Sequence, residues 1–253
     1  MHPYLLLLSL SQIYASSWCG YEGKMVQEVP HTYTSIFTAQ NRDDTSNRSR
    51  RSLNTRFRTA YWKQPLPLGI SAINILVNEH NMYRRLMRAS NMKMLQWNSE
   101  LAWKAQIHAD RCLFQHSHDR HSSGENIWAA PFADLKAAVK LWFTEIFDRK
   151  CGCTNYFKPC CGHYTQVVWA ETELVGCGMS RCSQILYAPG HRFILVCHYW
   201  PSGNWVQFAE GTLVALPAFR RSMHGPCSEC AANFTCLNGL CKKITSNLTG
   251  QFV

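Results

Sequence analysis

Glu145 is a carboxylate in an apolar setting. It lies three residues after Trp142 and seven after Ala138, in a stretch from about Asp134 to Phe147 where Leu135, Ala138, Val139, Trp142 and Ile146 recur at helical spacing. An unpaired carboxylate on the buried side of such a helix costs several kcal/mol, so Glu145 needs a partner. Imidazoles are suitable ones, and His163 opens an alternating run nearby in sequence. Period-two spacing predicts a strand over His163 to Trp169, with His163, Thr165, Val167 and Trp169 on one face and Tyr164, Gln166 and Val168 on the other. A carboxylate and an imidazole together can orient a metal ion, activate a water or simply neutralise each other. No His-Glu-x-x-His helix or Gly-x-Ser-x-Gly elbow occurs, and Ser117 has no independent case as a nucleophile.

The elements that must position these groups begin after Gly69. Ile73, Leu76, Val77, Tyr83 and Met87 form one helical stripe. Leu101, Ala102, Ala105, Ala109 and Cys112 form another, with Asn98 as its cap. Further strands are predicted at Gly176 to Met179 and Phe193 to Tyr199. The last is apolar on both faces, which places it centrally with helices covering it. The fold class is therefore α/β and layered.

The 253 residues, 46% of them hydrophobic, suffice for a real core. A net charge of +10, from 26 Lys and Arg against 16 Asp and Glu, allows weak attraction to polyanions. No Lys/Arg row interleaved with aromatics marks a nucleic-acid face, and nucleic acid is not expected as a partner. Thirteen cysteines without zinc-finger pairing in the main domain imply disulfides and an oxidising compartment. The apolar run Tyr4 to Leu10, followed by Ala15, Ser16 and Ser17, reads as a secretory signal over 1–17. Residues 18–68 are polar and Arg-rich and read as a mobile basic extension. Within it Arg48-Ser49-Arg50-Arg51 has the form cut by furin-like convertases, either a pro-segment boundary at Arg51 or a solvated linker. No stretch other than the signal approaches a membrane span, so the product is expected outside the cell and not spanning a membrane.

Two longer strings carry a resemblance. Gly162-His163-Tyr164-Thr165-Gln166-Val167-Val168-Trp169-Ala170-Glu171-Thr172 and Ile194-Leu195-Val196-Cys197-His198-Tyr199-Trp200-Pro201-Ser202-Gly203-Asn204-Trp205 resemble the two diagnostic motifs of the CAP superfamily. That group joins cysteine-rich secretory proteins, antigen 5 venom allergens and pathogenesis-related 1 proteins. The likeness runs from about Gly69 to Leu216. It implies a three-layer alpha-beta-alpha sandwich over 69–216 and a small cysteine-rich hinge in 217–243, with a tail at 244–253. The hinge pattern Cys227-x2-Cys230-x5-Cys236-x4-Cys241 implies the pairs Cys227 with Cys236 and Cys230 with Cys241. In the main domain the resemblance implies Cys112 with Cys177 and Cys182 with Cys197. Cys151, Cys153, Cys160 and Cys161 staple one short loop with their connectivity open, and Cys19 is left over, to be lost in processing, stay free or link chains.

The resemblance also implies a cavity of His116, Glu125, Glu145 and His163. Three uses stay open. His116 and His163 bind zinc or another divalent cation, not required for folding, with the carboxylates as orienters; a water activated by Glu125 or Glu145 makes a metal-dependent hydrolase or peptidase; or the four groups satisfy one another. Superfamily members bind sterols through a loop before the first motif, here Asp148 to Cys161 with Tyr156 and Phe157 as apolar contacts, and some bind fatty acids. Asn47, Asn233 and Asn247 stand in glycosylation sequons. The resulting expectation is a secreted, venom allergen-like binding protein without enzymatic activity, whose ligand is a lipid or an extracellular protein receptor and whose use includes immune modulation.

Overall fold

The computed structural model describes residues 61–120, 122–209 and 211–244, together with the backbone pairing of residues 7–9. The rest of the predicted signal and extension, Cys19, Arg51, Asn47 and Asn247 lie outside the described residues.

Five strands make the central sheet: β2 (Lys63–Pro65), β3 (Gln96–Trp97), β4 (Gly124–Ala130), β5 (Leu174–Cys182) and β6 (Phe193–Trp200). The path is β2-β5-β6-β4, antiparallel throughout, and β3 joins β5 in parallel. β6 is central, as its two apolar faces require. Leu195, Cys197 and Tyr199 belong to one core; Ile194 and Val196 belong to the other.

Helix α2 (Ser99–Ala109) covers the second of these faces. Asn98 caps it as predicted, its side chain accepting from Leu101 N at 2.8 Å. The helix comes so close that a Cβ on Gly176 or Gly178 would stand 2.2 Å from Ala102 N or 2.3 Å from Gln106 N and Cα. Only glycine fits there.

Helices α1 (Ile70–Leu86), α3 (Leu135–Thr144) and α4 (Gly162–Val167) cover the other face. The three-layer alpha-beta-alpha sandwich is thus present. Asp134 caps α3, accepting from Ala137 N at 2.9 Å. The predicted stripe of α1 is partly polar, because its buried residues include His80, Asn81 and Arg84. Arg84 is fully enclosed and reaches the carbonyls of Lys93, Val167, Trp169, Ala170 and Thr172 at 2.7 to 3.3 Å. It joins the last carbonyl of α4, Val167 O, to the turn that follows and to Lys93 before β3.

Several expectations need correction. The strand predicted from His163 is helix α4. Its residues Tyr164 to Val167 are four consecutive buried positions, so alternation of residue types there carries no information about period. Strand β4 stands outside the predicted strands. The sheet begins inside the span read as mobile extension, with Lys63–Pro65 on β5 and Leu66 N bonded to Met179 O at 2.8 Å. The disulfides are Cys112–Cys182 and Cys177–Cys197, not Cys112 with Cys177 and Cys182 with Cys197. Register decides this, since Cys177 and Cys197 are directly opposed on β5 and β6 with Cα atoms 4.1 Å apart. The loop bridges are Cys151–Cys160 and Cys153–Cys161.

After β6 a hairpin of β7 (Trp205–Ala209) and β8 (Thr212–Ala215) forms, and β1 (Leu7–Ser9) pairs with β7. The C-terminal hairpin β9 (Phe234–Leu237) and β10 (Leu240–Lys243) carries the pairs Cys227–Cys236 and Cys230–Cys241, as the resemblance implied. It is fastened to the sandwich. Cys241 N bonds Met92 O, Met94 N bonds Cys241 O, and Leu240 is buried in the main core.

Candidate functional site

Register on β4 aims Glu125 across β6 at His198, on the α2 side of the sheet. Its side chain is closed to solvent and accepts four hydrogen bonds. His116 Nδ1 (2.7 Å) and Ser117 N (2.9 Å) reach Oε1; Ser117 Oγ (2.8 Å) and His198 Nε2 (3.0 Å) reach Oε2. Arg120 Nη1 at 3.8 Å and His108 Nε2 at 3.9 Å add positive or polar surroundings. Burial works to raise its pKa, but the His116 and His198 hydrogen bonds hold the carboxyl well below the usual range. Burial pushes His108 down, favouring the neutral ring, and its Nε2 donates to Gln115 O at 2.7 Å.

Glu145 begins the single 3-10 turn (Glu145–Phe147) that follows α3. Its Oε1 accepts from His163 Nδ1 at 2.6 Å, and its Oε2 from Tyr164 N at 3.0 Å. That backbone donor belongs to the first turn of α4, where N–H groups lack helical partners and an anion is favoured. The carboxylate that needed a partner has one, delivered by a helix. Trp142 stacks on the His163 ring, with centroids 6.5 Å apart, and anchors itself by Nε1 to Ile127 O at 3.1 Å.

The four expected residues are therefore brought together as two couples, His116 with Glu125 and His163 with Glu145. Both stand at the start of β4. Asn126, next to Glu125, points to the opposite side of the sheet and donates through Nδ2 to His163 O at 3.2 Å. It also meets Tyr199 Oη at 3.3 Å, and Tyr199 Oη meets His80 Nε2 at 2.8 Å, while His80 Nδ1 meets Leu76 O at 2.7 Å. Because Leu76 O can only accept, His80 carries its proton on Nδ1 and Tyr199 donates to Nε2. Burial, the largest influence, lowers the His80 pKa to about 4 and raises that of Tyr199.

In each couple the carboxylate accepts, so Nδ1 carries a proton, and in the neutral ring Nε2 then presents its lone pair. Both rings reach solvent, with His116 54% and His163 35% exposed. Within each couple this is the arrangement in which a carboxylate orients an imidazole that can serve as a metal ligand. Two other clusters, Cys151, Cys160 and Cys161, and Cys227, Cys230 and Cys241, have sulfurs close together, but every one is in a disulfide and not available as thiolate.

Tyr156 is exposed and lines a cavity with Tyr164 and Phe219, whereas Phe157 turns toward Gly162. Asn233 is exposed on the C-terminal hairpin. Sequence reasoning missed His198, Ser117 and Asn126 as members of the site. The available signal for His198 was its place beside Cys197 on a strand, where alternation sends it to the face opposite the cysteine.

Comparison with known proteins agrees with this architecture. The description "Cysteine-rich secretory protein family", CAP, matches residues 77–199. Protein lon-1 of Caenorhabditis elegans is 51% identical over 172 residues, covering 66% of this chain and 55% of the relative. The chain thus spans little more than half of that relative's length. Scoloptoxin SSD43 of Scolopendra dehaani is 37% identical over 155 residues, covering 53% of this chain and 71% of the toxin. A crystal structure of NaASP2 with Zn2+ superposes with a TM-score of 0.54 at 25% identity, over 69% of this chain and 96% of that one. No helix among the described residues is long and apolar enough to cross a membrane. Motifs, disulfide-braced sandwich, relatives and structural neighbour converge, and the chain belongs to the cysteine-rich secretory protein, or CAP, family.

Proposed function

We propose that this chain is a secreted, non-enzymatic binding protein of the extracellular space, and that His116 and His163 hold a divalent cation such as zinc with Glu125 and Glu145 behind them. The observation that carries the metal reading is the shared geometry of the couples. Each ring spends Nδ1 on a carboxylate, at 2.7 Å and 2.6 Å, and keeps Nε2 outward. NaASP2, of the same fold, has been crystallised with Zn2+. A cation held by two imidazoles keeps coordination positions open and supplies an electrophilic anchor for an acidic or carbonyl group of a partner.

Secretion is supported by the pairing of all twelve cysteines among the described residues, which suits an oxidising compartment. The binding role, toward a lipid or an extracellular protein receptor, is supported by a Glu125 carboxylate that is closed to solvent and already accepts four hydrogen bonds, which suits it to holding neighbours and not to taking a proton from water. Calorimetric zinc titration of the wild type against the His116→Ala, His163→Ala double variant tests the metal reading. Binding should be saturable and lost in the variant, and identical isotherms would remove it.

A further inference from the structure

Away from the histidines, two cavities flank the linker at residues 219–223. One, of about 610 Å3, is walled by Ile146, Tyr156, Tyr164 and Phe219. The other, of about 480 Å3, is walled by Leu86, Met87 and Met223. Arg221 lines both. Its guanidinium lies over the Phe219 ring, 5.5 Å from the centroid, which places the side chain while leaving its N–H groups to donate.

Charge on these walls is uncompensated. Among the described residues Arg221 and Arg88 are in no ion pair, while Glu229 is taken by Arg220 at 3.2 Å. Tyr164, on the wall of the larger cavity, donates its hydroxyl to Met87 Sδ on the wall of the smaller one at 3.5 Å, a weak acceptor. The walls are also built in advance. Ala218 O accepts from Ala170 N, Ala218 N donates to Asn155 O, Phe219 O accepts from Asn155 Nδ2, and Arg220 is held by Ser90 and Asn91. Cys153–Cys161 and Cys151–Cys160 stiffen the opposite side. A preformed concavity of this volume with an apolar body and one convergent donor group is what a small ligand uses.

We propose that this paired cavity binds an amphiphile bearing a single acidic group, carboxylate, sulfate or sulfonate, with its aromatic or branched body against Tyr156 and Phe219 and its anion on Arg221. The proposal rests on the reading of the chain as a ligand-binding protein and gives that ligand a charge. It requires neither His116 nor His163, so it stands or falls separately from the metal.

Two fluorescent probes of similar shape test it, the anionic anilinonaphthalene sulfonate and the uncharged phenylnaphthylamine. The anionic probe should saturate one site on the full chain, bind more tightly than the neutral one, and keep its affinity in the His116→Ala, His163→Ala double variant. Arg221→Gln should weaken the anionic probe about tenfold, the loss of one charge-assisted hydrogen bond, and leave the neutral probe unchanged. Tyr156→Ala should weaken both. Equal affinity for the two probes, an Arg221→Gln variant that binds both as the wild type does or weakens both alike, or indifference to Tyr156→Ala overturns it.

Discussion

His198 Nε2 donates to Glu125 Oε2 at 3.0 Å with both side chains closed to solvent, so the residue that orients His116 is itself held from behind. Replacing His198 by Ala leaves a buried carboxylate short of one donor. Denaturant unfolding should show a loss of about 2 kcal/mol. Under the proposed metal arrangement, zinc titration of the folded variant should show affinity reduced roughly tenfold, the low end of what loss of an outer support costs. Unaltered zinc affinity in a destabilised variant would confine His198 to a structural part.

His80 gives the protein an acid sensitivity that begins above the carboxylate range. The ring has an ordinary pKa of 6.5 and is lowered to about 4 by burial in the folded state. Protons therefore prefer the unfolded chain. The contribution is whole above pH 6.5 and is lost as pH falls from there to about 4, by roughly 3 kcal/mol in all. Unfolding free energy followed against pH should slope downward over this window, and His80→Gln should flatten the slope. A slope that the substitution leaves intact assigns the effect elsewhere.

Arg84 ties α1 through five carbonyls to Lys93, to the last residue of α4, Val167, and to Trp169, Ala170 and Thr172 beyond it. Arg84→Met fills much of its volume and supplies no donor, so Val167 O, Lys93 O and Thr172 O lose the guanidinium in the interior while Trp169 O and Ala170 O keep only their backbone donors. The cost should exceed about 3 kcal/mol in denaturant unfolding, with Arg84→Lys intermediate. Near-normal stability of the Met variant would mean that water replaces the guanidinium.

Gly178→Ala tests the approach of α2 to β5. The new Cβ would stand 2.3 Å from Gln106 backbone atoms, which cannot swing aside as a side chain can. Destabilisation of about 1–3 kcal/mol is expected from thermal or chemical unfolding. An unchanged midpoint would show that the helix can shift outward without loss.

Much of this architecture could be read from the residues, for identifiable reasons. Asn98 and Asp134 are capping residues followed by apolar repeats, and both cap as local chemistry directs. Phe193 to Tyr199, apolar on both faces, could only be central. Gly162 to Val167 misled because a six-residue helix whose last four residues are all buried shows no stripe, while its residue types happen to alternate. β4 escaped notice because Gly124, Asn126 and two alanines dilute its β-branched character. The disulfide exchange among Cys112, Cys177, Cys182 and Cys197 turns on strand register, a long-range property with no local trace. Arg84, on a helix among charged and polar neighbours, looks like surface until the loop it holds is folded over it. At the site, Glu145 declared itself by apolar surroundings. His198 did not, because its partner lies 73 positions away.

The C-terminal hairpin holds a last consequence. Its bridges, Cys227–Cys236 and Cys230–Cys241, reach only to the segment just before it, so no covalent link other than the linker ties it to the sandwich. Yet Leu240 is sunk in the main core, and Cys241 is laced to Met92 and Met94. A segment fastened in this way is a buttress more than a swivel. A protease cut between Arg221 and Pro226 would sever the polypeptide while leaving its two fragments clasped.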